Sequence, residues 1–327
     1  MSAGPLVFAL AESSGLGRGV TAALGIELSA IEERQFEDGE HKSRPLVNVR
    51  GRSVFVIHSL YSDAQGSVND KLVRLLFFIG TLKDAGAAAV TAVVPMLCYA
   101  RKDQKSQTRD PVTTRYVAQL FEAVGVDRLV TIDVHNVAAF QNAFRCNTVH
   151  LDAAGLFTDF LMRTVHDQKV AVVSPDPGGI KRAERLRKRL VTRLRRPVGM
   201  AFVEKYRALG VVTGEALIGD VQDAIAVVVD DLISTGGTLA RAANACQRNG
   251  ARGVYALATH GLFTGAADAT LGASTIECVT VTNTVPPFRV QSATTLAKLT
   301  LLDVTPMLAE AIIRIHSGGS IVALLDE

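Results

Sequence analysis

The sequence predicts an α/β protein in which mainly parallel sheets are flanked by helices. Short β-branched apolar runs, such as 54–57, 90–94 and 226–229, have the length and composition of strands buried on both faces. Longer segments with apolar residues at helical spacing, such as 69–85, lie between these runs. Their regular alternation is typical of parallel strands joined by crossover helices.

The alternation continues along the whole chain, with local signals at several element ends. Gly86 and Gly125 are placed to end two helices, and Pro111 to begin one. The Asp-Gly pair within 36–40 predicts a hairpin turn. The predicted strands are 6–10, 54–57, 90–94, 129–134, 170–173, 201–203, 226–229, 253–258 and 278–281. The predicted helices lie within 13–25 and at 69–85, 111–124, 152–162, 180–194, 239–248 and 307–315.

Length and composition favour two domains without a membrane segment. A chain of 327 residues, 48% hydrophobic and 20% charged, is long and apolar enough for two folded cores. Its apolar runs are too short to cross a bilayer, and the first has no basic flank of the signal-peptide kind. Because both halves repeat strands that end in polar loops, we predict two similar domains, 1–150 and 151–306. A C-terminal helix, about 307–327, is expected to pack on the first.

Charge and cysteine usage narrow the function classes. A net charge of +3 permits anionic substrates without favouring nucleic acid. The helix 180–194 is strongly basic, yet no aromatic residues interleave with its charges, so we interpret them as a solvated face. These charges are Lys181, Arg182, Arg185, Arg187, Lys188, Arg189 and Arg193. Four scattered cysteines (Cys98, Cys146, Cys246 and Cys278) favour reduced thiols and a cytoplasmic location.

The stretch 226–238 joins a buried strand to features of a phosphate site. Asp230 and Asp231 follow the apolar run, where we expect the strand to end. Small residues then precede a helix: Ser234, Thr235, Gly236, Gly237 and Thr238. The amides of such a loop and helix start hold a phosphate, and glycines let the backbone approach it closely. The acidic pair suits ribose hydroxyls or a divalent cation. We therefore predict a sugar-phosphate site, since the chain has neither a Walker A loop nor a dinucleotide fingerprint.

Other polar residues follow predicted strands, at the sheet edge where open α/β folds bind ligands. Arg101, Lys102 and Asp103 come after the third strand, and His135 after the fourth. Asp176 and a double glycine come after the fifth. Lys205 and Arg207 stand in what we expect to be a flexible loop, where cations suit the stabilisation of transferring phosphates.

The order of these motifs resembles that of ribose-phosphate pyrophosphokinases (PRPP synthetases) over nearly the whole chain. The central motif, Val-Val-Asp-Asp-Leu-Ile-Ser-Thr-Gly-Gly-Thr at 228–238, is shared by that family and by phosphoribosyltransferases. The further matches are Phe-Glu-Asp-Gly-Glu at 36–40, Asn-Val-Arg-Gly at 48–51, Tyr-Ala-Arg-Lys-Asp at 99–103, Asp-Val-His at 133–135, Ser-Pro-Asp-Pro-Gly-Gly at 174–179 and Lys-Tyr-Arg at 205–207. The resemblance implies two phosphoribosyltransferase-like domains, each a mainly parallel sheet flanked by helices.

The resemblance also implies the reaction and the residue roles. The anomeric hydroxyl of ribose 5-phosphate would attack the β-phosphorus of ATP, giving PRPP and AMP with Mg²⁺ present. ATP would bind to the first domain of a homo-oligomer with its active site at a subunit interface, through Phe36, Asp38 and Glu40 of a neighbouring subunit and through Arg101, Lys102, Asp103 and His135. Metal ligands would be His135, Asp176, Asp230 and Asp231. Ribose 5-phosphate would bind to Asp230, Asp231 and 234–238, and the catalytic cations would be Lys205 and Arg207.

The chain departs from the family pattern at a few of these positions. Lys102 stands where Gln is usual, Tyr206 replaces an arginine, and Ser234 replaces the Asp common in bacterial members. Asn136 and Pro177 are further variations. Two alternatives stay open: a phosphoribosyltransferase, which would not need the two-domain length, and a non-catalytic regulatory homologue, which would be expected to lack the catalytic or magnesium residues. Oligomer size and the response to phosphate and ADP are also open.

Overall fold

The computed structural model describes residues 4–208 and 211–326, with the side chains of 205–208, 211–215 and 325–326 outside the description. The chain divides into two compact units. Unit 1 comprises Met1–Asp152 and Val304–Glu327, and unit 2 comprises Ala153–Asp303. The C-terminal segment therefore belongs to the same unit as the N-terminal half.

Unit 1 is built on a five-stranded parallel sheet with the strand order β1-β4-β5-β6-β7. A separate antiparallel pair, β2 and β3, forms a hairpin. The strands are β1 (Leu6–Ala9), β2 (Ile31–Gln35), β3 (His41–Pro45), β4 (Ser53–Ile57), β5 (Ala89–Val93), β6 (Arg128–Ile132) and β7 (Asn147–Leu151). The helices are α1 (Ser14–Leu24), α2 (Val68–Asp84), α3 (Thr113–Ala123), α4 (Val137–Ala143), α10 (Thr305–Ser317) and α11 (Ile321–Asp326).

Helix α2 shows how the sequence determines an element of this unit. Ser67 caps its start, accepting a hydrogen bond from the Asp70 amide while the Asp70 side chain accepts from the Ser67 amide. Apolar residues at helical spacing bury one face, which includes Leu75 and Ile79. Phe78 meets Phe8 of β1 edge to face, with ring centroids 5.4 Å apart. The buried face holds the helix on the sheet.

Unit 2 is built on a seven-stranded sheet with the order β10-β9-β8-β11-β12-β13-β14. All neighbouring strands are parallel except β9 and β10. The strands are β8 (Val170–Ser174), β9 (Gly199–Ala208), β10 (Val211–Gly219), β11 (Ile225–Ile233), β12 (Gly253–Gly261), β13 (Cys278–Thr282) and β14 (Leu299–Leu302). The helices are α5 (Ala154–Thr164), α6 (Ile180–Leu194), α7 (Gly237–Arg248), α8 (Ala267–Ala273) and α9 (Ala293–Leu296).

The predicted fold class is confirmed, with differences in single elements. The prediction of a loop around Lys205 and Arg207 is wrong, because the backbone of 199–208 forms a strand that pairs with 211–219. Several elements were not predicted, namely the strands β2, β3, β7, β10 and β14 and the helices α4, α8 and α9. Within the described residues, no helix combines the length and apolarity needed to span a membrane.

Candidate active site

The acidic pair of unit 2 lies within β11 rather than after it. The strand is buried as far as Val229 and continues to Ile233, and it pairs with β12 along this length. Its pairing with β8 ends at Val228, so the next residues lie beside the turn that leaves β8. Asp231 is buried and Asp230 is partly buried there. The sequence placed these carboxylates at the correct sheet edge but ended the strand too early.

An arginine that the sequence analysis assigned to a solvated face lies against this pair. Arg182 Nη1 is 3.6 Å from Asp230 Oδ1 and 3.5 Å from Asp231 Oδ1, and its side chain is only 19% exposed. Burial raises the pKa of Asp230, and the neighbouring Asp231 raises it further, whereas Arg182 lowers it. The guanidinium thus opposes protonation of the pair. A sequence signal existed, since Arg182 lies in the first turn of the helix that follows Gly179.

The loop 234–238 forms the start of α7. Gly236 has a left-handed backbone, with φ of 76°, and is the N-cap of the helix. A Cβ at this position would lie 3.2 Å from Leu271 Cγ, so glycine fits both the backbone and the space. Ser234 Oγ lies 3.0 Å from Thr264 Oγ1, which joins this loop to the one after β12. The amides at the start of α7 and the adjacent hydroxyls make a setting suited to a phosphate.

Asp176 lies at the same edge, after β8. Its Oδ1 accepts a hydrogen bond of 3.1 Å from the Gly179 amide and caps the short 3-10 turn Pro177–Gly179. A Cβ on Gly179 would lie 2.6 Å from Ser174 Oγ, so the second glycine of the motif is required for packing. The double glycine therefore has a structural role, and Asp176 uses one carboxylate oxygen within the turn.

Two of the segments predicted to bind ATP, 101–103 and His135, lie after β5 and β6, which are neighbours in the sheet of unit 1. Arg101 and His135 are both exposed at the ends of these strands. Two nearby residues have left-handed backbones, Tyr99 with φ of 57° and Asp133 with φ of 43°. Such strain in non-glycine residues is concentrated at functional sites. The two segments selected from the sequence therefore lie at one edge of the sheet.

Lys102 and Asp103 both bind groups within unit 1. Lys102 Nζ lies 2.5 Å from Asp110 Oδ2. Asp103 Oδ2 accepts a hydrogen bond of 2.8 Å from Asn136 Nδ2. The amides of Ser106 and Gln107 also donate to Asp110. Lys102 and Asp103, two of the residues predicted to bind ATP, therefore form bonds that shape this loop.

The segment 36–40 forms the turn of the β2–β3 hairpin, as its Asp-Gly pair predicted. The Phe36 amide donates to the Glu40 carbonyl at 2.7 Å, and Asp38 Oδ1 accepts from the Glu40 amide at 3.1 Å. Asp38 and Glu40 are exposed, and the Arg34 guanidinium lies 4.8 Å from the centre of the Phe36 ring. This turn belongs to the two-stranded sheet, whereas Arg101 and His135 follow strands of the five-stranded sheet.

The side chains of Lys205 and Arg207 lie outside the described part of the structure. Their backbone belongs to β9, where Lys205 is in register with Glu215 and Arg207 with Val212 of β10. The residues proposed as catalytic are thus carried on a hairpin arm.

The carboxylates of unit 2 fit a shared magnesium site. Among the described residues, no cluster of three or more His, Cys, Asp or Glu side chains could enclose a metal by itself. Magnesium is usually bound by one or two carboxylates together with substrate phosphates, so a complete protein cage is not required. Burial and the neighbouring Asp231 raise the pKa of Asp230 although Arg182 lowers it, so additional positive charge would favour the ionised pair. Asp230 and Asp231 therefore fit a cation that substrate oxygens would also bind.

Comparison with known proteins decides the family. The sequence profile for the N-terminal domain of ribose phosphate pyrophosphokinase matches residues 6–125, and that for a phosphoribosyl synthetase-associated domain matches 212–326. Ribose-phosphate pyrophosphokinase 1 of Streptococcus pyogenes is 36% identical over 326 residues, which cover 98% of this chain and 97% of the relative. The chain belongs to the ribose-phosphate pyrophosphokinase family.

Two more ribose-phosphate pyrophosphokinase relatives match over most of their length. The enzyme of Caldanaerobacter subterraneus is 39% identical over 302 residues, covering 92% of this chain and 91% of the relative. The crystal structure of phosphoribosylpyrophosphate synthetase from Mycobacterium smegmatis matches with a TM-score of 0.86 and 32% identity, covering 97% of this chain and all of that one. The fold and the enzyme class expected from the motifs are confirmed.

Proposed function

We propose that this chain is a catalytically active ribose-phosphate pyrophosphokinase that transfers the diphosphoryl group of ATP to ribose 5-phosphate. The anomeric hydroxyl attacks the β-phosphorus, the bond from that phosphorus to the bridging α–β oxygen breaks, and AMP leaves. The observation that carries the proposal is the arrangement of Asp230 and Asp231 beside the loop 234–238 at the start of α7. Carboxylates for ribose hydroxyls and amides for a phosphate are what ribose 5-phosphate requires.

In this proposal ribose 5-phosphate binds to unit 2. Asp230 and Asp231 accept hydrogen bonds from its ring hydroxyls, while the backbone at Gly236 and Gly237 and the hydroxyls of 234–238 hold its phosphate. Magnesium, when bound, supplies positive charge that stabilises the transferring diphosphoryl group. Asp230, Asp231 and Asp176 of unit 2 are the residues that would hold it, and His135 is proposed as a magnesium ligand in unit 1. Lys205 and Arg207 are proposed to supply further positive charge for the same group.

ATP is assigned to unit 1, where Arg101 and His135 are exposed at one sheet edge. We further propose a homo-oligomer in which Phe36, Asp38 and Glu40 contact the adenine bound to a neighbouring copy. Their position on an exposed hairpin turn supports such a role. A cytoplasmic location agrees with the free cysteines Cys98, Cys146, Cys246 and Cys278.

The test is to incubate the purified protein with ATP, magnesium and ribose 5-phosphate and to quantify nucleotides and PRPP by chromatography. We expect equimolar AMP and PRPP, and loss of most turnover in Lys205→Ala with the fold intact. Lys188→Ala is the matched control, because that lysine is 73% exposed on α6. Formation of ADP would show that the transferred group is wrong. Absence of nucleotide turnover in a folded sample would favour the regulatory homologue.

A further inference from the structure

Two loops leave the five-stranded sheet of unit 1 side by side. One follows β5 and carries Arg101, and the other follows β6 and carries His135. The strands are parallel neighbours, with Val93 in register with Val130, so both loops begin at the same edge. Because the two side chains are assigned to one ATP, the separation of the loops matters for its binding.

The side chain of Asn136 bonds to both loops. Its Oδ1 accepts a hydrogen bond of 3.2 Å from the Ala139 amide and so caps α4. Its Nδ2 donates a hydrogen bond of 2.8 Å to Asp103 Oδ2. An amide side chain carries both a donor and an acceptor, so one residue can fix the turn after His135 and the loop after Arg101 together.

We propose that Asn136 is a positioning residue, whose hydrogen bond to Asp103 fixes the separation of Arg101 and His135 for ATP. The inference rests on the proposed function, because it assigns both of those side chains to ATP. Asp103 then acts through Asn136 rather than through a contact with the nucleotide. Asn136 is one of the positions where this chain departs from the family pattern.

The surrounding loop supports this role. Lys102 Nζ is 2.5 Å from Asp110 Oδ2, and Thr114 Oγ1 donates to the Tyr99 carbonyl at 2.8 Å. These bonds hold the loop 99–110 to itself and to the start of α3. The bond between Asp103 and Asn136 instead crosses to the neighbouring loop, so its removal changes the relation between the loops more than the folding of either.

An exchange of donor and acceptor separates positioning from direct contact. Asn136→Asp keeps the cap, because aspartate caps helices as well as asparagine does, but it sets a carboxylate against Asp103. Adding Asp103→Asn restores a donor opposite an acceptor, with the roles reversed. The measurements are calorimetric binding of a non-hydrolysable ATP analogue without ribose 5-phosphate, and the kcat and KM for both substrates.

We expect Asn136→Asp to weaken binding of the analogue by about 10-fold, as loss of a hydrogen bond to a charged group implies. The KM for ribose 5-phosphate should stay unchanged. The double variant Asn136→Asp with Asp103→Asn should return to within about 3-fold of the wild-type affinity. Hydrogen exchange of the amides in 100–110 should rise in the single variant and fall again in the double variant.

Two results would overturn the positioning role. If Asp103 contacts the nucleotide, Asp103→Asn alone will be strongly impaired and the double variant will not recover. If the bond only supports the fold, the thermal midpoint and the affinities for both substrates will change together. Failure of the proposed function can be told apart from failure of the positioning role. If the wild-type protein binds the analogue but makes no PRPP, the affinities of the single and double variants still test the positioning role.

Discussion

Arg182 Nη1 lies 3.5 Å from Asp231 Oδ1, within a cluster that also includes Asp230. Arg182 is on α6 and the carboxylates are on β11, so the contact depends on the sheet order that places β8 next to β11. The guanidinium lowers the pKa of Asp230, which burial raises. The arginine therefore favours the ionised pair that the proposed contacts with ribose hydroxyls require.

Replacing this arginine should weaken the binding of ribose 5-phosphate. In Arg182→Gln the carboxylates lose their positive neighbour, and we expect about a 10-fold rise in the Kd for ribose 5-phosphate, of the order found for loss of a charge-assisted contact. Arg182→Lys should recover part of the affinity, because it restores the charge without the planar fork. Calorimetry with ribose 5-phosphate alone measures both variants.

The matched control for this prediction is Arg193→Gln. Arg193 lies on the same helix, but its side chain is 50% exposed and pairs with Asp159 at 2.9 Å. An exposed pair of this kind contributes little. Equal losses of affinity in Arg182→Gln and Arg193→Gln would show that the helix charge as a whole, rather than the contact with the acidic pair, is responsible.

Gly236→Ala should impair ribose 5-phosphate binding more than it impairs stability. A left-handed alanine costs about 1–2 kcal/mol, and its Cβ would press on Leu271 at 3.2 Å. The loop proposed to hold the phosphate must shift to relieve this contact. We expect a Kd for ribose 5-phosphate raised by at least about 10-fold, the factor that corresponds to roughly 1.4 kcal/mol.

Gly318→Ala is the control for backbone strain alone. Gly318 has the same φ of 76°, but a Cβ there would meet no atom within 4 Å. It should lower the free energy of unfolding by about 1–2 kcal/mol, the cost of a left-handed alanine, with no change in substrate affinity. Unaltered affinity in Gly236→Ala would argue against the phosphate role of the loop.

The sequence predicted elements well where one local pattern agreed with the tertiary structure. Helix α6 was predicted with its observed bounds, Ile180–Leu194, because its apolar stripe begins directly after the Gly-Gly turn. The strands β2 and β3 were missed because they lack an apolar run. They are held instead by cross-strand pairs such as Lys42 with Glu32, at 3.2 Å, and by the close contact of Arg44 with Glu32.

The site residues that could be predicted were likewise those that belong to a local sequence pattern. Asp230 and Asp231 were identifiable because two carboxylates after a buried strand, followed by a glycine loop, form a contiguous pattern. Arg182 and Asn136 could not be identified in this way, because their partners are distant in the sequence. Asp230 lies 48 residues after Arg182, and Asp103 lies 33 residues before Asn136. A charge on a basic helix has many possible partners, and only the strand order determines which one it meets.

A buried ion pair in unit 1 gives an asymmetric stability prediction. Lys71 Nζ lies 2.5 Å from Asp63 Oδ2 and 3.9 Å from the centre of the Tyr61 ring, and the Lys71 side chain is fully buried. Asp63→Ala leaves that charge buried without its partner and should lower the free energy of unfolding by about 3–5 kcal/mol. Urea unfolding followed by circular dichroism measures the loss.

Lys71→Met should cost much less than Asp63→Ala. Asp63 Oδ1 keeps the hydrogen bonds from the Gln65 and Gly66 amides, at 3.0 and 3.1 Å, and methionine fills the apolar space beside Tyr61. Replacing a buried pair by apolar groups is often neutral, so Lys71→Met with Asp63→Ala should be more stable than Asp63→Ala alone. A double variant less stable than either single one would contradict the desolvation argument.

His58 should make unit 1 sensitive to acid. Burial, together with the nearby charges of Lys71 and Arg74, lowers the pKa of His58 to about 3. The ring contacts Ser13 Oγ at 3.1 Å through Nδ1, while its buried Nε2 has no hydrogen-bond partner within the described structure. Protonation would therefore place an uncompensated charge in the core.

The sign follows from proton binding in the two states. Between pH 6.5, the ordinary value for histidine, and pH 3, the unfolded chain binds a proton at this position and the native chain does not. The contribution to stability is complete above pH 6.5 and is lost as the pH falls, by up to about 1.4 kcal/mol per pH unit. His58→Gln should reduce the fall in the free energy of unfolding with decreasing pH. Urea unfolding at pH values from about 4 to 6.5, within the range where the two states differ in protonation, measures this. His316→Gln, at a partly exposed position, should retain the wild-type slope. The same slope in all three proteins would show that His58 is hydrated or partnered in solution.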